Sequence, residues 1–113
     1  IEREAAKNGL IHVDGKKEFA LGPGRKVVLV DTFGTLDEDR WWDAEAYSNG
    51  ECIELSKEFV RTHYINSGHQ AELKLARDSG AVDPPIPALP ESVIEETASL
   101  YSSMYERLTS GQF

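Results

Sequence analysis

The chain has 113 residues, a net charge of −8 and a pI near 4.8. That length suits one domain or a piece of one, and the acidic balance speaks against a free-standing nucleic-acid binder, which carries a basic footprint. The single cysteine, Cys52, excludes a disulfide framework or a cysteine-rich zinc site within the chain, and no apolar run approaches the ~20 residues of a membrane helix.

Without a thiol pair or a visible signal peptide, the expected compartment is the cytoplasm. Neither nucleic acid nor membrane is expected as a partner. The chain opens Ile1-Glu2-Arg3 in what reads as mid-helix, so a fragment or a processed part of a longer polypeptide is expected.

Taken in order, residues 2–8 read as the end of a helix closed by a left-handed Gly9. "LIHVD" and "KKEFAL" read as one strand, or as two joined at Gly15. "GPGR" at 22–25 is a turn signal, and "KVVLVD" at 26–31 is the clearest strand, rich in β-branched residues. Together these predict an antiparallel hairpin ending at Asp31. Residues 32–54 read as an irregular connection, long enough to suggest function, with Trp41 and Trp42 arguing for anchorage rather than disorder.

From Leu55 the pattern becomes helical. Ser56 is the candidate N-cap, Phe59, Val60, His63 and Tyr64 share a face, and Gly68 ends the helix. A second short helix closes at Gly80. "DPPIPALP" at 83–90 is a stiff connector, and Pro90 starts a final helix. There Ile94, Thr97, Ala98, Tyr101, Met104, Tyr105 and Leu108 follow the spacing of a buried face, with Gly111 at the end. That face suits a core or a contact with a second copy of the chain. The fold class is α+β, an antiparallel hairpin or sheet followed by helices.

Strand alternation places Asp14, Lys16 and Glu18 on one face, with Asp31 ending the neighbouring strand. Two carboxylates brought together repel unless a lysine or a hard cation offsets them. Magnesium takes one or two carboxylates plus phosphate oxygens, and Lys16 suits a phosphate. A solvated face with Glu–Lys pairs is the alternative. Arg40 could fork onto a phosphate or carboxylate, or be neutralised by Asp37 and Asp39. Lys57 and Arg61 lie four apart at a helix start, where the dipole also favours anions. His12, His63 and His69 show no metal-ligand spacing, and Cys52 has no activating partner.

These pieces occur in a familiar order. The chain resembles the C-terminal portion of the phosphoribosylaminoimidazole-succinocarboxamide synthase (SAICAR synthetase) family. Asp14-Gly15-Lys16-Lys17-Glu18-Phe19-Ala20 is similar to the family's Asp-x-Lys-x-Glu-Phe-Gly. The segment from Asp31 to Trp42 is similar to Asp-Glu-x-x-Thr-Pro-Asp-Ser-Ser-Arg-Phe-Trp, and Ser56-Lys57-Glu58-Phe59-Val60-Arg61 to Asp-Lys-x-x-x-Arg. Pro84-Pro85, Leu89-Pro90 and the stretch Tyr105 to Gly111 complete the series. The chain departs from the pattern at Ala20, at Thr32, at Leu36 and at Glu38-Asp39, the last adding negative charge where an anionic substrate would approach.

The resemblance implies an ATP- and magnesium-dependent ligase that joins L-aspartate to the carboxylate of carboxyaminoimidazole ribotide. By position, Glu18 and Asp31 would hold magnesium with the ATP phosphates. Lys16 would contact those phosphates or the activated carboxylate, and Asp14 would orient the imidazole. Arg40 and Arg61 would bind anionic groups of the nucleotide substrate, with Lys57 and Asp37 as further contacts. The implied organisation is 1–113 as a C-terminal portion: helix end and hairpin at 2–31, substrate loop at 32–54, helical part at 55–113. The family's N-terminal sheet has no counterpart here, so an N-terminal part or second polypeptide is an expected partner. A non-catalytic interaction domain that retains the fold is the competing reading.

Overall fold

The structure, a computed structural model, describes residues 1–111. Helix α1, Glu2–Lys7, has acids in its first turn and Lys7 in its last, as the helix dipole favours. It closes through Asn8 into Gly9, whose φ of +67° is the left-handed conformation expected there.

Strand β1, Leu10–Gly15, does not continue into β2, Glu18–Leu21. The two belong to different two-stranded sheets. β2 pairs antiparallel with β3, Val27–Val30, in the register Glu18↔Val30 through Leu21↔Val27. The turn between them is the expected one, with a 3-10 stretch at Pro23–Arg25 and Gly24 at φ +68°. β1 pairs instead with β4, Asp39–Asp43, placing His12 opposite Trp41 and Asp14 opposite Arg40. The ladder is irregular between His12 and Asp14. One continuous strand face through Asp14, Lys16 and Glu18 is therefore corrected: a break at Lys16-Lys17 and a register shift interrupt the alternation that reading required.

The stretch 32–54 is likewise not irregular throughout. It holds β4 and the short helix α2, Ala44–Ser48. In "DRWWD" Asp39 and Trp41 point inward while Arg40 is exposed, a period of two. Asp43 then caps α2 by accepting a hydrogen bond from Ala46 N at 3.0 Å.

Helices α3, Glu58–Asn66, and α4, His69–Asp78, are separated by Gly68 at φ +87°. Ser56 lies just ahead of α3, fully buried, its Oγ accepting from Glu58 N at 3.3 Å. The final helix α5, Glu91–Thr109, begins after Pro90, and the left-handed residue at its end is Ser110 rather than Gly111. Its inner face is rotated from the expected one. Val93, Thr97, Leu100, Tyr101, Met104 and Leu108 are buried or half-buried, while Ile94, Ala98 and Tyr105 are exposed. The helix packs mainly through one narrow stripe, so its flanking apolar positions are left outside.

The core joins Ala5 of α1, Leu10 of β1, Leu36, Trp41 of β4 and Met104 of α5, with Leu55, Leu100, Tyr101 and Leu108 against it. Each large side chain buried there contributes about 1.5–3 kcal/mol. Arg107 of α5 completes the join by donating to the carbonyls of Asn8 and Gly9 and to Asp43. The core thus fixes β1 and β4 against α5 and carries their exposed ends, Asp14 and Arg40, to one edge.

Candidate functional site

At that edge the start of α3 meets the β1–β4 sheet and the β1–β2 connection. An open basin of about 440 Å³ forms there, lined by Asp14, Gly15, Lys16, Glu38, Arg40, Lys57, Glu58 and Arg61. Five of the eight candidate residues, Asp14, Lys16, Arg40, Lys57 and Arg61, therefore share one cavity. Cations outnumber acids four to three on its walls, in a chain whose net charge is −8. This local reversal of sign is what an anionic ligand requires.

Each cation has a protein partner. Arg40 Nε donates to Asp14 Oδ1 at 2.8 Å, and its Nη2 reaches the other carboxylate oxygen, a two-pronged fork. That contact lowers the Asp14 carboxyl below its ordinary 3.8, and the same partner raises Arg40 further. The expectation that Asp37 or Asp39 neutralises Arg40 is corrected: β-register sets Asp14 directly across from it. Lys16 pairs with Glu18, Arg61 with Glu58, and Lys57 donates to the Asp37 carbonyl. Most of these contacts are half exposed, where ion pairs are weak. An incoming phosphate or carboxylate can therefore exchange for them at small cost.

Glu18 and Asp31 lie on the β2–β3 hairpin beside the basin. Glu18 faces Val30, the residue before Asp31. Asp31 itself has φ +68°, which takes it out of the strand pleat, and its Oδ1 accepts from Thr32 N at 2.9 Å. Lys16 joins Glu18 to the basin. Its pKa is raised by the hydrogen bond and charge of Glu18 and, more weakly, by Asp31 and Glu38. Glu18 forms the ion pair with Lys16, while Asp31 acts on that lysine through charge alone. Carboxylate oxygens are the donor type that a magnesium ion takes together with phosphate and water. Among the described residues no cluster of three or more metal-capable side chains forms.

Asp37 stands apart from the basin. Its carboxylate accepts from Tyr101 of α5 at 2.7 Å, and it lines a neighbouring cavity of about 660 Å³ that shares Lys57 and Arg61 with the basin.

Four residues, Asp39 with Lys17, His12 and Gly34, escaped the sequence reading as a group. Asp39 is fully buried and accepts from Lys17 Nζ, from the His12 ring at 3.0 Å and from Gly34 N at 2.9 Å. Burial alone would raise its carboxyl, but the Lys17, His12 and Gly34 contacts together hold it below 3.8. Asp39 therefore adds no unpaired charge to the approach, contrary to the expectation drawn from Glu38-Asp39. Glu38 does line the basin. The signal for the group was an acid at an inward strand position, visible only once β4 is recognised.

Fold and site together define an α+β segment that presents a cation-rich basin beside a hairpin carrying Glu18 and Asp31. The SAICAR synthetase family profile matches residues 1–77. Over 109 residues the chain is 50% identical to the phosphoribosylaminoimidazole-succinocarboxamide synthase of Thermoplasma volcanium, covering 96% of this chain and 37% of that protein. The Thermoplasma acidophilum protein of the same name matches equally, at 50% over 109 residues. A solved structure described as SAICAR-synthase from Saccharomyces cerevisiae complexed with SAICAR superposes with a TM-score of 0.72 at 24% identity, covering 99% of this chain and 34% of that one. A SAICAR synthetase (Type-2) in complex with ADP gives a TM-score of 0.59, also at 24% identity. The chain belongs to the SAICAR synthetase family. It spans 37% of the length of these Thermoplasma relatives.

Proposed function

We propose that this chain is the C-terminal portion of an ATP- and magnesium-dependent carbon–nitrogen ligase of purine biosynthesis, acting in the cytoplasm and incomplete without an N-terminal part. The reaction would join L-aspartate to the carboxylate of carboxyaminoimidazole ribotide. The substrate carboxylate takes the γ-phosphoryl group of ATP, releasing ADP, and the aspartate amine then attacks the acyl carbon and expels phosphate. Such chemistry depends on positioning and on fixed charge near the transferring group.

The observation that carries the reading is the gathering of Asp14, Lys16, Arg40, Lys57 and Arg61 around one basin. Arg61 and Arg40 receive the phosphate of the nucleotide substrate, assisted by Lys57 at the positive end of α3. Asp14, released from Arg40 as that arginine turns to the anion, accepts from the imidazole substrate. Lys16 lies between basin and hairpin, suited to the group being transferred. Glu18 and Asp31 would hold magnesium, which supplies neutralising charge to the ATP phosphates. Asp37 contributes through the adjoining cavity. Relatives bound to ADP and to SAICAR support nucleotide and product chemistry for the family.

The test supplies the chain with an N-terminal part of the family and follows ATP-dependent consumption of L-aspartate. Activity is expected from the pair. Arg61→Ala should raise the KM for carboxyaminoimidazole ribotide about tenfold or more, the loss of one charge-assisted contact. Glu18→Gln should instead lower kcat at saturating substrate. An inactive pair in which both parts are folded and associated would favour the non-catalytic reading.

A further inference from the structure

The Asp39 carboxylate is tied to three separate segments, and each leads into the basin. Lys17 sits in the β1–β2 connection immediately after Lys16. His12 lies on β1, two residues before Asp14. Gly34 lies in the β3–β4 connection ahead of Glu38, and Asp39 itself precedes Arg40. All of this meets on a side chain with no exposed surface. Gly15 opposite is bare for a reason: a Cβ there would collide with the Asp39 carboxylate and with Lys17 Nζ. The His12 ring is further held against Trp41, with centroids 4.8 Å apart.

We propose that Asp39 is a positioning residue: its buried hydrogen-bonded clamp on Lys17, His12 and Gly34 sets the placement of Lys16 and Arg40 for anion binding. This rests on the reading of the basin as an anion receptor. Lys17 is committed to Asp39 and is not itself a receptor, although it adjoins Lys16. A surface ion pair could not do this work, since exposed pairs reorganise freely. A buried carboxylate with three donors has one arrangement that satisfies all of them.

The experiment titrates inorganic phosphate into the full 15N-labelled chain. It follows the Arg40 Nε–H signal for binding and exchange of the Gly34 amide for the clamp. Asp39→Asn keeps the shape and removes the charge. Lys17→Met/Asp39→Asn removes both charges, so that neither is left buried alone. Both variants should lose Gly34 protection and bind phosphate about tenfold more weakly, even where the double variant melts close to wild type. Phosphate affinity unchanged in Asp39→Asn, or affinity that simply follows thermal stability across the variants, overturns the proposal. Arg61→Ala serves as the control for the basin. If wild type ignores phosphate or Arg61→Ala binds it equally, the basin reading fails instead. The clamp is then judged on exchange alone: Gly34 and Arg40 Nε–H protected in wild type and released in Asp39→Asn support it, and equal protection in both overturns it.

Discussion

At the scale of single residues, environment separates side chains of the same type. Asp14 and Asp39 both accept from cations, yet one is half exposed and exchangeable while the other is fully buried. Tyr101 is the corresponding case among the tyrosines. Burial, reinforced by its hydrogen bond to Asp37, pushes its phenol up to about 12 from 10.0. The neutral phenol is the form the fold prefers. Its stabilising contribution is complete below pH 10 and is lost as pH rises through 12. Absorbance titration of the phenolates should therefore show a late step near 12 from Tyr101. Tyr101→Phe should abolish that late step. Wild-type and Tyr101→Phe curves with no such late difference would show that Tyr101 is not held buried against Asp37.

Among the elements, β4 decides most of the architecture and was hardest to read. The hairpin was legible because "KVVLVD" is β-branched throughout and "GPGR" admits little but a turn. β4 was hidden because its five residues, "DRWWD", begin and end in acids, and one of those acids points inward. Burial of a carboxylate is a tertiary event, arranged by Lys17 and His12 from another strand and its connection, and no local pattern encodes it. The same gap explains the site. Lys16, Arg40, Lys57 and Arg61 were visible as cations at suggestive positions, whereas Arg40's pairing with Asp14 depended on a β1–β4 register that crosses 26 residues. Trp41, 1% exposed at the centre of β4, is the residue through which that strand is held to the core. Trp41→Ala should cost about 3–5 kcal/mol, measured by denaturant unfolding. It should also loosen the His12 side of the Asp39 clamp, since the two rings pack together. A cost under about 1 kcal/mol would mean that β4 is pinned elsewhere.

For the molecule as a whole, the surface is too large for the chain. Its radius of gyration is 17.6 Å, where a compact domain of this length has about 13 Å. Its accessible surface is 8095 Å², against about 6,200 Å² for a monomer of this mass. Part of the exposed apolar surface lies together on the β2–β3 hairpin, where Phe19, Leu21, Val27, Val28, Leu29 and Val30 are between 37% and 70% exposed. A two-stranded ribbon with apolar side chains open to water has little independent stability, and an apolar patch of this kind marks a surface that another body covers. The ribbon is also where Glu18 and Asp31 sit. If an N-terminal part of the family covers it, that contact orders the proposed magnesium-binding pair and closes the nucleotide site in a single event. Two results should then move together. Backbone amides of Val27–Val30 should exchange fast in the chain alone and slow markedly when the N-terminal part is added. ATP–magnesium binding, weak or undetectable for the chain alone, should appear over the same range of added partner. Tight ATP binding by the isolated chain would contradict the half-site. Protection without any gain in ATP affinity would leave the hairpin as an interface and remove Glu18 and Asp31 from the nucleotide site.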